Sequence, residues 1–224
     1  MTLQQKAAAL GEKEFLGVPV REFEMGGRIQ LIALLKAGLS PHSKVVDIGC
    51  GVLRGGYWLI HFLAPSCYFG IEPRPDRLRT GLDHFLEPEV VAAKHPRFDT
   101  NPHFDTSVFG TKFDFFLARS VWTHASKPQI ESMLDSFVRD STPDGVFLTS
   151  YLSADDSHPD HRGLAWVGTS HESDVPGCIH HDFGWIEAQC DRRGLVAREW
   201  EQEVFNTQRW IEIRRRVGSA GSVS

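Results

Sequence analysis

A glycine-rich turn and an acidic residue that follows it carry the residue types that could bind a nucleoside. The segment 45–56 reads VVDIGCGVLRGG, a buried strand that runs through glycines into a helix. Glycine suits a sharp turn that a ligand must approach closely, and the helix start offers free N–H groups. Glu72 ends the next strand, 21 residues after Gly51. A carboxylate there can accept hydrogen bonds from both hydroxyls of a ribose.

Two kinds of ligand compete for such a site. A nicotinamide dinucleotide favours a third glycine where this chain has Arg54, and Asp47 would place negative charge near its pyrophosphate. S-adenosylmethionine has no phosphate and carries two cationic groups, so an acid is tolerated there. The residues therefore favour S-adenosylmethionine as the cofactor, with a nicotinamide-dependent oxidoreductase as the alternative.

Arginine is the expected partner of the carboxylate of this cofactor, because its planar fork binds both oxygens. Candidates lie before the first strand, in the loop and after the fourth strand. The predicted cofactor-binding residues are Arg28, Asp47, Gly49, Cys50, Gly51, Arg54, Glu72 and Arg119.

Strands and helices alternate from residue 44 to about 150, which predicts an α/β fold with a parallel sheet and helices on both faces. Apolar runs predict strands at 44–48, 67–71, 113–118, 146–152, 196–200 and 207–214, with a short third strand between 98 and 109. Helical spacing predicts helices at 2–10, 21–38, 55–63, around 78–86, 128–138 and 183–193. The two adjacent final strands predict an antiparallel hairpin at the sheet edge.

The sequence resembles the class I S-adenosylmethionine-dependent methyltransferases over roughly residues 26–215. DIGCG at 47–51, GIE at 70–72, FDFFLARSVWTH at 113–124 and PDGV at 143–146 look like motifs of that family. The LRGG continuation at 53–56 is similar to a bacterial subgroup. The resemblance implies a Rossmann-like, seven-stranded sheet with an antiparallel last strand. It implies an acid near the adenine, for which Asp99 and Asp105 are candidates.

Residues 151–181 are predicted to form the acceptor side of the site, because long loops on a rigid scaffold commonly carry function. Histidines and carboxylates there could bind and deprotonate a polyhydroxylated acceptor, and Trp166 could cover a sugar face. The predicted catalytic residues are His158, His124, Tyr151 and Asp155. A divalent cation such as Mg²⁺ would suit the carboxylates, but no spacing matches a ligand motif, so no metal ligand is assigned.

The composition limits the classes of molecule that this chain is expected to bind. The formal net charge is −5, and the chain lacks a basic patch with interleaved aromatic residues, so nucleic acid is not expected. No sequence typical of DNA amino-methylation or of cysteine attack on pyrimidines follows the fourth strand. A small molecule or saccharide is therefore the expected acceptor, with a sugar hydroxyl favoured. A non-catalytic S-adenosylmethionine-binding regulator is the alternative from another class.

Composition and sequence patterning also predict the domain organisation and the cellular location. We expect an N-terminal helical segment at 1–40, a methyltransferase domain at 41–216 with an insertion at about 153–181, and a flexible tail at 217–224. Four widely spaced cysteines predict reduced thiols. Neither a signal peptide nor an apolar run of about 18 residues is present, so a cytoplasmic protein without membrane contact is expected.

Overall fold

A computed structural model describes residues 1–13, 16–17, 19–205 and 207–216, with the side chains of 201–205 excepted. The predicted tail at 217–224 lies outside the described residues. The strands are β1 Val45–Ile48, β2 Tyr68–Ile71, β3 Arg97–Asp99, β4 Phe113–Ala118, β5 Ser141–Tyr151, β6 Leu195–Phe205 and β7 Gln208–Arg215. The helices are α1 Leu3–Gly11, α2 Phe23–Lys36, α3 Gly56–Phe62, α4 Pro75–His84, α5 Pro88–Lys94, α6 Lys127–Asp140 and α7 Phe183–Asp191.

The strands form one seven-stranded sheet in the order β3-β2-β1-β4-β5-β7-β6. β1 lies between β2 and β4 and is parallel to both, and β3 and β5 extend the parallel part. β7 is antiparallel to β5 on one side and to β6 on the other. The predicted Rossmann-like methyltransferase fold with an antiparallel last strand is therefore confirmed.

Alternate residues of the central strands enter separate cores, because successive side chains of a strand point to opposite faces. Val46 and Phe116 join a cluster with Ile130 and Phe137 of α6. The neighbouring residues of the same strands, such as Val45 and Phe115, join a cluster that contains α2 and α3 residues. The helices therefore cover both faces of the sheet.

A third, smaller core joins the N-terminal segment to the domain. Leu3 and Ala7 of α1 pack with Phe23 of α2 and with Phe85, and the Phe23 and Phe85 rings stack at 4.8 Å between centroids. Val52 of the glycine loop belongs to the same cluster. The predicted helical segment at 1–40 thus packs directly against the loop.

The helix predicted around 78–86 corresponds to α4, and α5 is an additional helix that was not predicted; it has Pro88 at its first position, where proline is favoured. One element prediction is wrong in detail. The turn predicted at 143–145 lies inside β5: Ser141 pairs with Phe113 and Val146 with Phe115, so the intervening residues bulge out of the ladder.

All four cysteines are free thiols. Within the described part of the chain, no helix has both the length and the apolar character needed to cross a bilayer.

Candidate functional site

The glycine loop after β1 depends on backbone angles that favour glycine. Gly49 and Gly51 have φ values of +70° and +57°. A Cβ on Gly49 would lie 2.6 Å from Val121 Cγ2, so the loop after β4 also requires a glycine there. The N–H groups of Gly49 and Cys50 donate to the Ile71 carbonyl at 2.8 and 3.1 Å, which fixes the loop to the end of β2.

Glu72 is held against this loop. The residue is 4% exposed. Oε2 accepts a hydrogen bond from the Gly51 N–H at 2.8 Å, and Oε1 accepts one from the Arg74 N–H at 3.0 Å. The carboxylate therefore has a fixed position beside the glycine turn, as a ribose ligand requires.

A cavity of about 450 Å³ lies over the carboxyl ends of the parallel strands. Its walls include the glycine loop after β1, Glu72 after β2, Arg119 and Ser120 after β4, and Gln208 at the start of β7. Gln30 of α2 and Leu16 of the N-terminal segment close it on one side. Ligands of such sheets bind at this edge.

Asp47 lies beneath the loop and also lines the cavity. Burial raises its pKa to about 7, although the Tyr68 hydroxyl, which donates to Asp47 Oδ2 at 2.8 Å, opposes the rise. The nearby charge of Glu72 adds to the rise. A cationic group bound above Asp47 would favour the ionised carboxylate.

Two of the three predicted arginines line the cavity. Burial lowers the pKa of Arg54 to about 10 and that of Arg119 to about 9, and the positive charges of Arg77 and Arg54, respectively, add to these shifts. Arg28 instead lies on α2, pairs with Glu24 and covers the Trp58 ring at 5.2 Å, outside the cavity lining. Arg77 lines the cavity and was not predicted.

A polar network joins the ends of β4, β5 and β7. Arg119 Nη1 donates to Ser120 Oγ at 3.0 Å and to Ser150 Oγ at 2.8 Å. Both hydroxyls contact Gln208 Oε1, at 3.0 and 2.8 Å. Ser120 has a φ of +59°, a strained value for a residue with a side chain.

Aromatic rings form the opposite end of the cavity. Phe104, Trp166 and His171 contact one another, with centroids 5.4 to 6.0 Å apart. His124 stacks on Trp166 at 5.7 Å, and its Nδ1 lies 2.8 Å from the Val167 carbonyl. Burial lowers the pKa of His124, so the ring is neutral near pH 7.

The structure does not bring the other predicted catalytic residues to the cavity. His158 and Asp155 are exposed and contact each other at 3.1 Å. Tyr151 is buried and donates a hydrogen bond to Glu199. These three residues are absent from the described cavity lining, which includes His124.

The predicted insertion contributes only its second half to the cavity. Its lining residues begin at Trp166 and end at Cys178. Asp99 and Asp105, the candidates for the adenine contact, do not line the cavity: Asp99 accepts from Asn101, and Asp105 caps the turn that begins at Thr106. Among the described residues, no group of three or more histidine, cysteine or acidic side chains could hold a metal ion.

The similarity of this chain to known proteins is structural. No family model matches the sequence, and no curated protein matches it significantly. Magnesium protoporphyrin IX methyltransferase from Synechocystis PCC 6803 with bound S-adenosylhomocysteine (SAH) superposes with a TM-score of 0.61 and 16% identity, covering 94% of this chain and 93% of that chain. The DhpI–SAH complex gives 0.62 and 14%, covering 95% and 94%. A methyltransferase from Bacteroides fragilis in complex with SAH gives 0.61 and 12%, covering 96% and 94%.

The chain has the class I methyltransferase fold. Sequence reasoning placed the glycine loop, Glu72, Arg54 and Arg119 at one cavity. Arg77 and Gln208 were not predicted, because they reach the cavity only through the packing of α4 and of the β6–β7 hairpin. The αL position of Ser120 carries no signal in the sequence.

Proposed function

We propose that this protein is an S-adenosylmethionine-dependent methyltransferase. The observation that carries the proposal is the buried Glu72 carboxylate fixed beside the Gly51 N–H, at the rim of a cavity that also contains Arg54. Such a site offers a carboxylate to ribose hydroxyls and a guanidinium to a ligand carboxylate.

The other lining groups suit the cationic part of the cofactor. Asp47 lies buried beneath the loop, and an ammonium or sulfonium above it would stabilise the ionised carboxylate. Gly49, Cys50 and Gly51 let the backbone approach the ligand. In this assignment Arg54 binds the cofactor carboxylate, and Arg28 takes no part.

The acceptor is a small molecule that takes the methyl group on oxygen. The prediction of a sugar or saccharide hydroxyl depended on carboxylates near residue 155, which lie outside the cavity lining. His124 is the predicted base that reaches the cavity. A hydroxyl acceptor would need its neutral ring to take the proton.

Calorimetric titration separates the cofactor alternatives. SAH should bind, and NAD should not. NAD binding without a response to SAH would favour the oxidoreductase. SAH binding with no label transfer from S-adenosylmethionine to any small acceptor would favour the non-catalytic regulator.

A further inference from the structure

We propose that the acceptor is a small organic acid whose carboxylate oxygen receives the methyl group, held by Arg119 and Gln208. This inference rests on the proposed function, because it assumes S-adenosylmethionine as the methyl donor. It assigns the acceptor to the β4–β5–β7 end of the cavity instead of the 151–181 segment.

The position of Glu72 orients the donor. β2 has β3 on one side and β1 with β4 on the other. Phe104, in the segment that follows β3, forms an aromatic wall with Trp166 and His171, which suits a flat purine. Toward β4 lies Arg54, which suits the carboxylate of the amino-acid end. The methyl group, between ribose and amino acid, then faces the ends of β1 and β4.

Hydrogen-bond donors surround that end. Arg119 donates to the hydroxyls of Ser120 and Ser150, which in turn contact Gln208 Oε1. Gln208 Nε2 lies 2.9 Å from Ser120 Oγ and carries a second N–H that this contact does not use. Because the network's acceptor atom is occupied, Gln208 presents donors, which favours an acceptor with oxygen lone pairs.

The charge of the cavity favours an anion. Three arginines, Arg54, Arg77 and Arg119, are among the described lining residues, against two acids, Asp47 and Glu72. The donor brings a sulfonium and an ammonium but only one carboxylate, so its binding adds positive charge. Burial is the main cause of the lowered pKa values of Arg54 and Arg119, and the positive charge of a neighbouring arginine adds to each shift. A second carboxylate would relieve the repulsion between these positive charges.

The chemistry requires no base at this end. A carboxylate lone pair forms the O–CH₃ bond while the S–CH₃ pair returns to sulfur, giving a methyl ester and a neutral thioether. No proton moves in this step. The two lining acids are engaged by Tyr68 and by the Gly51 and Arg74 N–H groups, and His124 lies at the aromatic end. A carboxylate is already ionised near pH 7.

The product class tests the proposal directly. The full-length protein, saturated with methyl-tritiated S-adenosylmethionine, is incubated with a panel of small carboxylic acids and with the primary alcohols of the same carbon skeletons. We expect label transfer to acids, released as volatile methanol by mild alkali, at a rate that is flat from pH 6 to 8. Alkali-stable label on alcohols, or a rate that rises through the histidine range, would overturn the proposal.

Binding gives a readout that does not need turnover. On the SAH-loaded protein, ligand-observed NMR should detect acids but not their matched alcohols. Equal binding of the two classes, or preference for alcohols, overturns the proposal while leaving the methyltransferase assignment intact. Loss of SAH binding itself would instead contradict the proposed function.

A charge substitution locates the site. Gln208→Glu keeps the side-chain size and adds repulsion, so we expect KM for the acid to rise at least tenfold while the Kd of SAH changes less than twofold. Gln5→Glu adds the same charge on exposed α1, where glutamate also suits the capping box, and should leave both constants unchanged. An unchanged KM in a folded Gln208→Glu variant would exclude the β7 end.

Discussion

At the scale of single residues, burial decides the charge of the side chain beneath the glycine loop. The pKa of Asp47 is raised from 3.8 to about 7, mainly by burial. Between these values the unfolded chain ionises while the folded one keeps its proton, so this residue's contribution to stability is lost as pH rises. Asp47→Asn should therefore raise the free energy of unfolding at pH 8.

The gain should grow from pH 5 to pH 7 by about 1.4 kcal/mol per unit and then level off. Urea unfolding of both proteins across this range measures it. Asp83→Asn on the exposed face of α4 is the control and should show no such trend. A constant difference between wild type and Asp47→Asn would show that Asp47 is ionised throughout.

Glu72 is the residue expected to bind the ribose of the cofactor. Glu72→Ala removes hydrogen bonds to a charged group, so SAH should bind about 1.5–3 kcal/mol more weakly in calorimetry. Circular dichroism should show an intact fold, because the carboxylate lies at a strand end. Glu87→Ala at the start of α5 is the matched control. Unchanged affinity in the folded Glu72 variant would remove it from the ribose site.

Single residues were predictable where a local motif surrounds them. Glu72 and Arg54 follow from the strand–turn–helix context. Gln208 does not, because its place at the cavity depends on β7 returning beside β5. His158 and Asp155 looked chemical by residue type alone, and their exposed loop positions show that composition does not specify where a side chain points.

At the scale of elements, the 166–178 segment is fastened to the loop after β4. The Val167 N–H donates to the His124 carbonyl at 3.0 Å, and the Ile179 N–H donates to the Thr123 carbonyl at 2.8 Å. Gly168, with a φ of +115°, permits this contact: a Cβ there would lie 2.3 Å from His124 Nδ1 and 2.8 Å from the Gly177 carbonyl oxygen. Both clashes involve groups that pack tightly, so the segment would have to move.

Gly168→Ala should lower the free energy of unfolding by about 1–3 kcal/mol more than Gly38→Ala, since overpacking adds to backbone strain. Gly38 has a similar φ of +103°, but its Cβ would meet nothing within 4 Å. Urea unfolding gives the difference, and limited proteolysis should cut the Gly168 variant within 168–177. Equal costs for the two variants would show that the segment is not fastened through Gly168.

Elements were predictable where apolar runs are long and uniform. FDFFLA at 113–118 lies in the centre of the sheet, and its predicted bounds match β4. The edge strand β3 has only three partly exposed residues, so no apolar run marks it. The bulge in β5 was not predicted, because Pro143, Asp144 and Gly145 indicate a turn locally. Pairing with β4 nevertheless continues on both sides of them.

At the scale of the whole molecule, three hydrophobic cores together support the cavity. The two large clusters fix the sheet between helix layers, and the alternation of strands and helices along the chain made that arrangement predictable. The third cluster joins α1 to Val52, which also lines the cavity. Its formation depends on contacts between distant segments, such as Phe23 with Phe85, which the sequence does not indicate.

This third cluster links the N-terminus to the cofactor site. Deleting residues 1–11 removes Leu3 and Ala7 from the cluster and exposes Phe23 and Phe85. The free energy of unfolding should fall by about 2–5 kcal/mol, the cost of losing a large buried side chain. Because Val52 loses packing partners, SAH should bind roughly tenfold more weakly, about 1.4 kcal/mol.

The control keeps α1 and removes only a surface ion pair. Lys6 lies 3.7 Å from Glu87 with both side chains partly exposed, so Lys6→Ala should cost less than about 1 kcal/mol and leave SAH affinity unchanged. Urea unfolding and calorimetry on the same samples separate stability from binding. If the truncated protein loses stability but binds SAH as tightly as the full chain, the glycine loop keeps its shape without α1. The cofactor site then depends on the two large cores alone.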